Sequence, residues 1–382
     1  MNVVKGKIPI LLSLLLLISS CSSNITRTTS VTGTAAQGGT VITSYPRYEL
    51  TNNSCTRNGI PGPKAFESLR KFILAGEADK AIDIGFDMYR TSIHWNERLW
   101  NALQVIAICD IGPADPYAIA YVYALRCVIG ISEEYDPEQG GMQALTLMQA
   151  IRYLCQCKHD DSIYAVKAQI DTDYAEGKIA QIPEFAYDMH TRAGQARGQN
   201  PYEFLGPEGG SKVVPELPGA ADKYKVRLRQ ILAPQFAGDH PQKFEGFGYN
   251  YWGSLKSFNG LPGDLLQSGY QKSIRRNRPD LALKLGYELF VSGGDFESFA
   301  WDRLVIMTSE DVGMGEPNSG RLMYTYSKVK DYYPDDRELR LTFLLQAIRF
   351  MCGCTKERSN ELRKGILTHE YLMGKVPRLA DY

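Results

Sequence analysis

The best-defined polar cluster in this 382-residue chain is H-T-R-A-G-Q-A-R-G at His190–Gly198. His190, Arg192 and Arg197 offer an imidazole and two guanidiniums. The interspersed glycines permit close backbone approach, so the segment has the chemistry of a phosphate or nucleic-acid contact. Its plainer reading is a capped helix followed by a packed glycine-rich loop. A second cationic run, K-S-I-R-R-N-R, spans Lys272–Arg278. Arg275, Arg276 and Arg278 cover an arc at one helix end, with Lys272 a turn earlier. Such an arc either touches phosphates or forms a solvated face.

Other groupings fail on geometry. Cys155, Cys157 and His159 are soft metal ligands by type. On a helix, positions i and i+2 point about 200° apart, so the three do not converge. They read as structural cysteines at a helix end, and no metal or cofactor is expected. Glu310 and Asp311 form an acid pair by sequence, yet neighbouring helical residues diverge by about 100°. They read as a helix terminus with a structural hydrogen bond. The five histidines are scattered, and no Ser/His/Asp or Cys/His nucleophile pattern stands out. A weaker reading makes the chain a hydrolase or nuclease working through His190 and nearby acids.

The elements that position these residues are helical. Leu69 and Ile73 keep helical spacing, as do Ala81, Ile84, Gly85 and Met88, and Leu99, Leu103 and Ile106. Gly85 and Gly286 inside such patterns imply close helix–helix approach. Asp110-Ile111-Gly112 ends a helix at glycine, and Asp115-Pro116 is placed to open the next, with Asp as N-cap. Sustained alternating strand patterns are missing. The same turn, Asn-Gly-x-Pro-Gly, occurs at Asn58–Gly62 and Asn259–Gly263, 201 residues apart. Laid over each other at that offset, residues 58–116 and 259–317 share 14 of 59 positions, against roughly 3–4 by chance. Q-A-I-R-Y-L-C-Q-C (Gln149–Cys157) likewise meets Q-A-I-R-F-M-C-G-C (Gln346–Cys354). The expectation is an all-α chain of two tandem homologous multi-helix domains, the second truncated.

W-D-R-L-V-I-M-T-S-E-D-V-G-M-G-E-P (Trp301–Pro317), preceded by K-S-I-R-R-N-R-P-D-L-A-L (Lys272–Leu283), resembles the C-terminal helical region of MgsA/RarA-type replication-associated recombination AAA+ ATPases. That group includes the Werner-helicase-interacting-protein-like proteins. I-C-D-I-G-P-A-D-P (Ile108–Pro116) is a worn version of the same turn, and Ile182–Gly198 is similar to a segment of stand-alone relatives. The resemblance covers nearly everything from Asn58 to Tyr382. It implies a helical module like the collar of clamp loaders, mediating oligomerisation near replication or recombination machinery. The ATPase motor is missing. G-T-A-A-Q-G-G-T (Gly33–Thr40) lacks the lysine that reaches phosphates and does not lie between strand and helix. ATPase activity is therefore not expected.

The N-terminus points elsewhere. Lys5 and Lys7, an apolar run Ile8–Ile18, and Ile18-Ser19-Ser20-Cys21 follow the secretory layout and resemble a bacterial lipobox with Cys21 as the lipidated residue. The run is too short to span a bilayer. Residues 1–21 then form a lipoprotein-type signal peptide and 22–54 a Ser/Thr/Gly-rich tether. Helical domains cover 55–235 and 259–382, with an aromatic connector at 236–258 that either packs or presents a partner-binding strip. Cysteine usage reads as reduced and cytosolic, in conflict with the lipobox; a mis-called or fused start would remove the conflict. Lys plus Arg and Asp plus Glu both number 43, which argues against DNA binding through bulk charge and leaves only local patches. The chain is thus expected to be a non-catalytic assembly or partner-binding module, binding protein partners or itself, with DNA contact through local patches. The alternative is an envelope lipoprotein, membrane-anchored through Cys21, whose scaffold binds a protein or peptide.

Overall fold

The computed structural model describes residues 54–132, 141–219, 221–238, 241–246, 248 and 250–377. Cys21 and the whole leader lie outside them, as do Phe247 and Tyr249 of the connector. Among the described residues the fold is all-α, and the only β pairing is three isolated bridges. The helices are α1 (Gly62–Leu74), α2 (Ala78–Tyr89), α3 (Ile93–Val105), α4 (Ala118–Ser132), α5 (Gly141–Gln156), α6 (Ile163–Ala175), α7 (Arg192–Ala196), α8 (Pro201–Phe204), α9 (Asp222–Phe236), α10 (Gly263–Arg275), α11 (Pro279–Ser292), α12 (Gly294–Met307), α13 (Ser319–Val329), α14 (Arg337–Gly353) and α15 (Ser359–Leu372). No helix among the described residues is long and apolar enough to cross a membrane.

The described residues fall into two compact units. One gathers Ile179–Pro317 with Met351–Tyr382, the other Gly39–Lys178 with Asn318–Phe350. Each unit therefore draws on both halves of the chain.

In the second of these units, α1 packs on α2 and α5, and α4 on α5. Leu69, Ile73, Met88, Leu99 and Leu103 are fully buried, each contributing about 1.5–3 kcal/mol of apolar transfer. Gly85 is where α2 meets α5: a Cβ there would lie 2.5 Å from Ile151 Cδ1. Trp100 is buried, and Phe66 stacks on Trp95 with ring centroids 5.8 Å apart. Asp115 does not cap α4, which starts later, at Ala118. Its carboxylate instead accepts from the Tyr153 hydroxyl at 2.8 Å, because the 3₁₀ turn Gly112–Ala114 carries the chain past the capping position.

In the other unit, α10 packs on α11 and α11 on α12, with Leu266, Tyr270, Ile274, Leu285 and Leu289 buried. Helix α9 runs through Pro234 to Phe236. The connector packs into this unit. Phe244 is buried, edge-on to Phe236 at 6.3 Å, and Trp252 lies against Phe296 and Phe299 at 5.5 and 5.4 Å. Of the connector's described large aromatics, Tyr251 and Phe258 stand well exposed.

Two local structures recur. α3 runs into a π-helical turn Ile106–Ile111, and α12 into Thr308–Val312. Each ends on a glycine at positive φ: Gly112 at 52° and Gly313 at 51°. Beyond each, a returning backbone N–H, of Asp160 or Glu357, donates at 2.9 Å to the carbonyl of Asp110 or Asp311. The two Asn-Gly turns are also tied alike. Asn58 Nδ2 donates to Asp87 at 2.7 Å, and Asn259 Nδ2 to Glu288 at 2.8 Å.

Candidate functional site

Residues from both sequence-selected clusters meet in the unit built on α10. Lys272 and Arg275 occupy the last turn of α10, where cations complement the negative end of the helix dipole. They are not on its solvated face. Both are 3% exposed. The segments around Asp188, Gly210 and Arg358 fold over that end.

Lys272 Nζ sits 2.7 Å from Asp188 Oδ2 and also donates to Ser268 Oγ, whose hydroxyl donates to the Ala186 carbonyl at 2.6 Å. Asp188 further accepts the His190 backbone N–H at 3.0 Å, and its Oδ2 lies 3.1 Å from His190 Nδ1. His190 rests edge-on against Phe204, centroids 5.0 Å apart. The backbone closes tightly here. A Cβ on Gly210 would come within 2.6 Å of Asp188 Oδ2, and one on Gly194 within 2.0 Å of the Asp188 carbonyl oxygen. Burial pushes the Asp188 carboxyl up, but the Lys272 and His190 charges outweigh it and hold it well below the usual range. Burial brings Lys272 down to about 8 against the opposing pull of Asp188.

One turn on, Arg275 Nε donates to Asp311 Oδ1 at 2.7 Å and Arg275 Nη1 to the Gly210 carbonyl. Asp311 is fully buried, with Arg358 Nε 3.4 Å from the same oxygen. Arg358 also pairs with Glu361 and donates to the Ser211 carbonyl, while Arg303 pairs with Glu310 at 3.0 Å. Three guanidiniums thus face three carboxylates. Burial alone would raise Asp311; Arg275, Arg358 and Arg303 outweigh it and leave its value lowered. Arg276 donates to the Glu208 and Gly209 carbonyls and lies over the Phe185 ring.

Lys272 and Arg275 fit neither reading of the cationic run, phosphate contact or solvated face: desolvated cations need fixed counter-ions, and the fold supplies them internally. Arg278 is exposed. Arg192 N–H donates to Asp264 at 2.8 Å and its guanidinium to the Asn250 carbonyl at 3.1 Å, tying the connector to α7. Arg197 pairs with Glu184 and stacks over Tyr187. The Glu310/Asp311 pair, read as a hydrogen-bonded terminus, is an ion-pair node. Among the described residues, no three or more His, Cys, Asp or Glu side chains are placed to hold a metal ion. Cys157 Sγ lies 3.5 Å from Asp115 Oδ2 and 3.3 Å from the Tyr153 carbonyl.

Asp188, Ser268, Arg358 and Glu361 were not singled out from sequence. Asp188 stands two residues before His190, and Arg358/Glu361 is an i,i+3 pair, a spacing that places opposite charges side by side on a helix. Those spacings were the available signals.

The other unit holds a simpler counterpart. Asp110 is fully buried and takes a bidentate contact from Arg70 at 3.0 and 2.7 Å. Burial dominates, Arg70 offsets it only in part, and nearby Asp161 adds to it, so the carboxyl rises to about 7. Searches against family models, curated proteins and solved structures return no match for this chain.

Proposed function

We propose that this chain is a non-catalytic helical assembly and partner-binding module. In this reading it is a duplicated collar-like domain related to the C-terminal region of MgsA/RarA-type replication–recombination ATPases. The supporting observation is the use made of its charged residues. Lys272, Arg275, Arg358, Asp188 and Asp311 neutralise one another inside the fold, which suits a rigid scaffold better than a site that must receive a charged substrate. The paired Asn-carboxylate turns and paired π-turn glycines support duplication, because they recur at the repeat's own spacing.

Sedimentation velocity of the full chain over a concentration series tests the module reading, with assembly beyond the monomer expected. Turnover of a phosphodiester or peptide substrate that is lost in His190→Ala would overturn it in favour of a hydrolase. A second reading, an envelope lipoprotein, is favoured by the Lys5–Cys21 layout. Palmitate incorporation in cells expressing the wild type, lost in Cys21→Ala, supports it; absence of label with the protein in the soluble fraction refutes it.

A further inference from the structure

Helices α9 and α15 lie against each other, with Leu228 side-chain carbons in van der Waals reach of a Cβ on Gly365. Their inner faces bury Leu228, Leu232, Leu362 and Ile366 in one cluster with Phe204 and Phe236. Their outer faces are of another kind. On α9, Lys223, Val226 and Arg227 are exposed, i, i+3 and i+4 positions that share a stripe. On α15, Arg363, Lys364, Leu367 and Tyr371 repeat that spacing, and Lys375 follows the helix. The stripes meet at Tyr224, whose ring has Lys223 Nζ at 4.9 Å and the Arg363 guanidinium at 6.0 Å.

This surface is basic in a chain of zero net charge. Lys223, Lys225, Arg227, Arg363, Lys364 and Lys375 outnumber the acids near them: Glu361 of α15 is buried against Arg358, Glu216 and Asp222 act on Lys225, and Glu370 is held by Lys375 at 2.7 Å and Arg363 at 3.9 Å. Large apolar side chains stand among these cations: Val226 is 57% exposed, Tyr371 78%, and Leu367, Met373 and Val376 are also exposed.

We propose that the α9/α15 face docks on an anionic phospholipid surface. Charge complementarity supplies the attraction, as lysines and arginines accumulate at negatively charged headgroups. The aliphatic and aromatic residues between the cations decide against nucleic acid. They gain by entering the headgroup–acyl boundary, whereas phosphate backbones offer them nothing. The inference does not depend on lipidation of Cys21 or on the module reading.

The test is flotation of the full chain with vesicles of phosphatidylcholine alone and of phosphatidylcholine mixed with phosphatidylglycerol. The quantity read is the ratio of binding to the two. Lys223→Ala/Arg227→Ala/Lys364→Ala changes only exposed or half-buried charges, and its thermal melt verifies the fold. At about fivefold per cation, the triple variant should lower the anionic-lipid ratio by roughly 100-fold. Leu367→Ala/Tyr371→Ala should weaken binding to the mixed vesicles while keeping its salt dependence. The leader's own contribution is common to all these proteins and cancels. A wild-type ratio near one, or a ratio unchanged in the triple variant, overturns the proposal. So does wild-type binding of duplex DNA without binding to the mixed vesicles at the same ionic strength.

Discussion

The Lys272 ammonium and the Asp188 carboxylate meet at 2.7 Å, both almost wholly shielded from water. Neither is tolerable alone there, since an unpaired buried ion loses its hydration without return. Asp188→Asn should therefore destabilise the chain by about 3–5 kcal/mol, and Asp188→Asn/Lys272→Met should recover part of that loss. Urea unfolding midpoints measure both. A loss below about 1 kcal/mol in the single variant would show that water reaches the pair.

Two buried aspartates should respond to pH in opposite directions. Asp188 is depressed below its unfolded value of 3.8, so its contribution is present above that pH and is lost as pH falls further. Asp110 is raised from 3.8 to about 7. Protonation then favours the folded state, so its contribution is full below about pH 4 and lost as pH rises through about 7. Relative to Asp110→Asn, the wild type should lose stability between pH 4 and 8, by on the order of 4 kcal/mol at most. Denaturant titrations of the two proteins across that range read the difference; parallel curves would refute it.

Gly313 has φ at 51°, and a Cβ there would sit 2.5 Å from the Glu357 carbonyl oxygen. Gly313→Ala should cost about 1–3 kcal/mol from the backbone alone, with the clash added. Gly112→Ala, 2.6 Å from the Asp160 carbonyl oxygen, should behave alike. Gly59, at φ 81° with nothing within 4 Å, should lose only the backbone part on substitution by Ala. Thermal melts of the three variants rank them, and equal losses would contradict the close approach.

Arg275 and Arg278 look interchangeable in sequence and should not be in experiment. Arg275→Ala leaves Asp311 short of a partner inside the fold and should cost about 3–5 kcal/mol. Arg278→Ala, at an exposed site, should stay within about 0.5 kcal/mol of wild type. A duplex-DNA shift that is lost in Arg275→Ala while its melting temperature is unchanged would restore Arg275 as a surface contact.

Much of the scaffold was legible in the residues. Apolar spacing around Leu69, Met88 and Leu103 could only be helical, because no alternating pattern competed with it. Gly85 signalled close helix approach because a glycine inside a helix is costly unless something needs the space, and Ile151 needs it. Gly112 ended its helix as read. The site was less legible. The sequence marks His190 and Lys272 as polar candidates, but their shared partner Asp188 carries only its two-residue spacing from His190, which does not announce burial.

By itself, the sequence determined the helical class and the two Asn-Gly turns, because these depend on local periodicity and on φ preferences that each residue carries with it. Only the tertiary structure decided the state of the charges. Whether an arginine is a solvated contact or a buried strut depends on desolvation and on which carboxylate arrives from elsewhere in the chain. At α10 those carboxylates were Asp188 and Asp311, and they turned Lys272 and Arg275 inward.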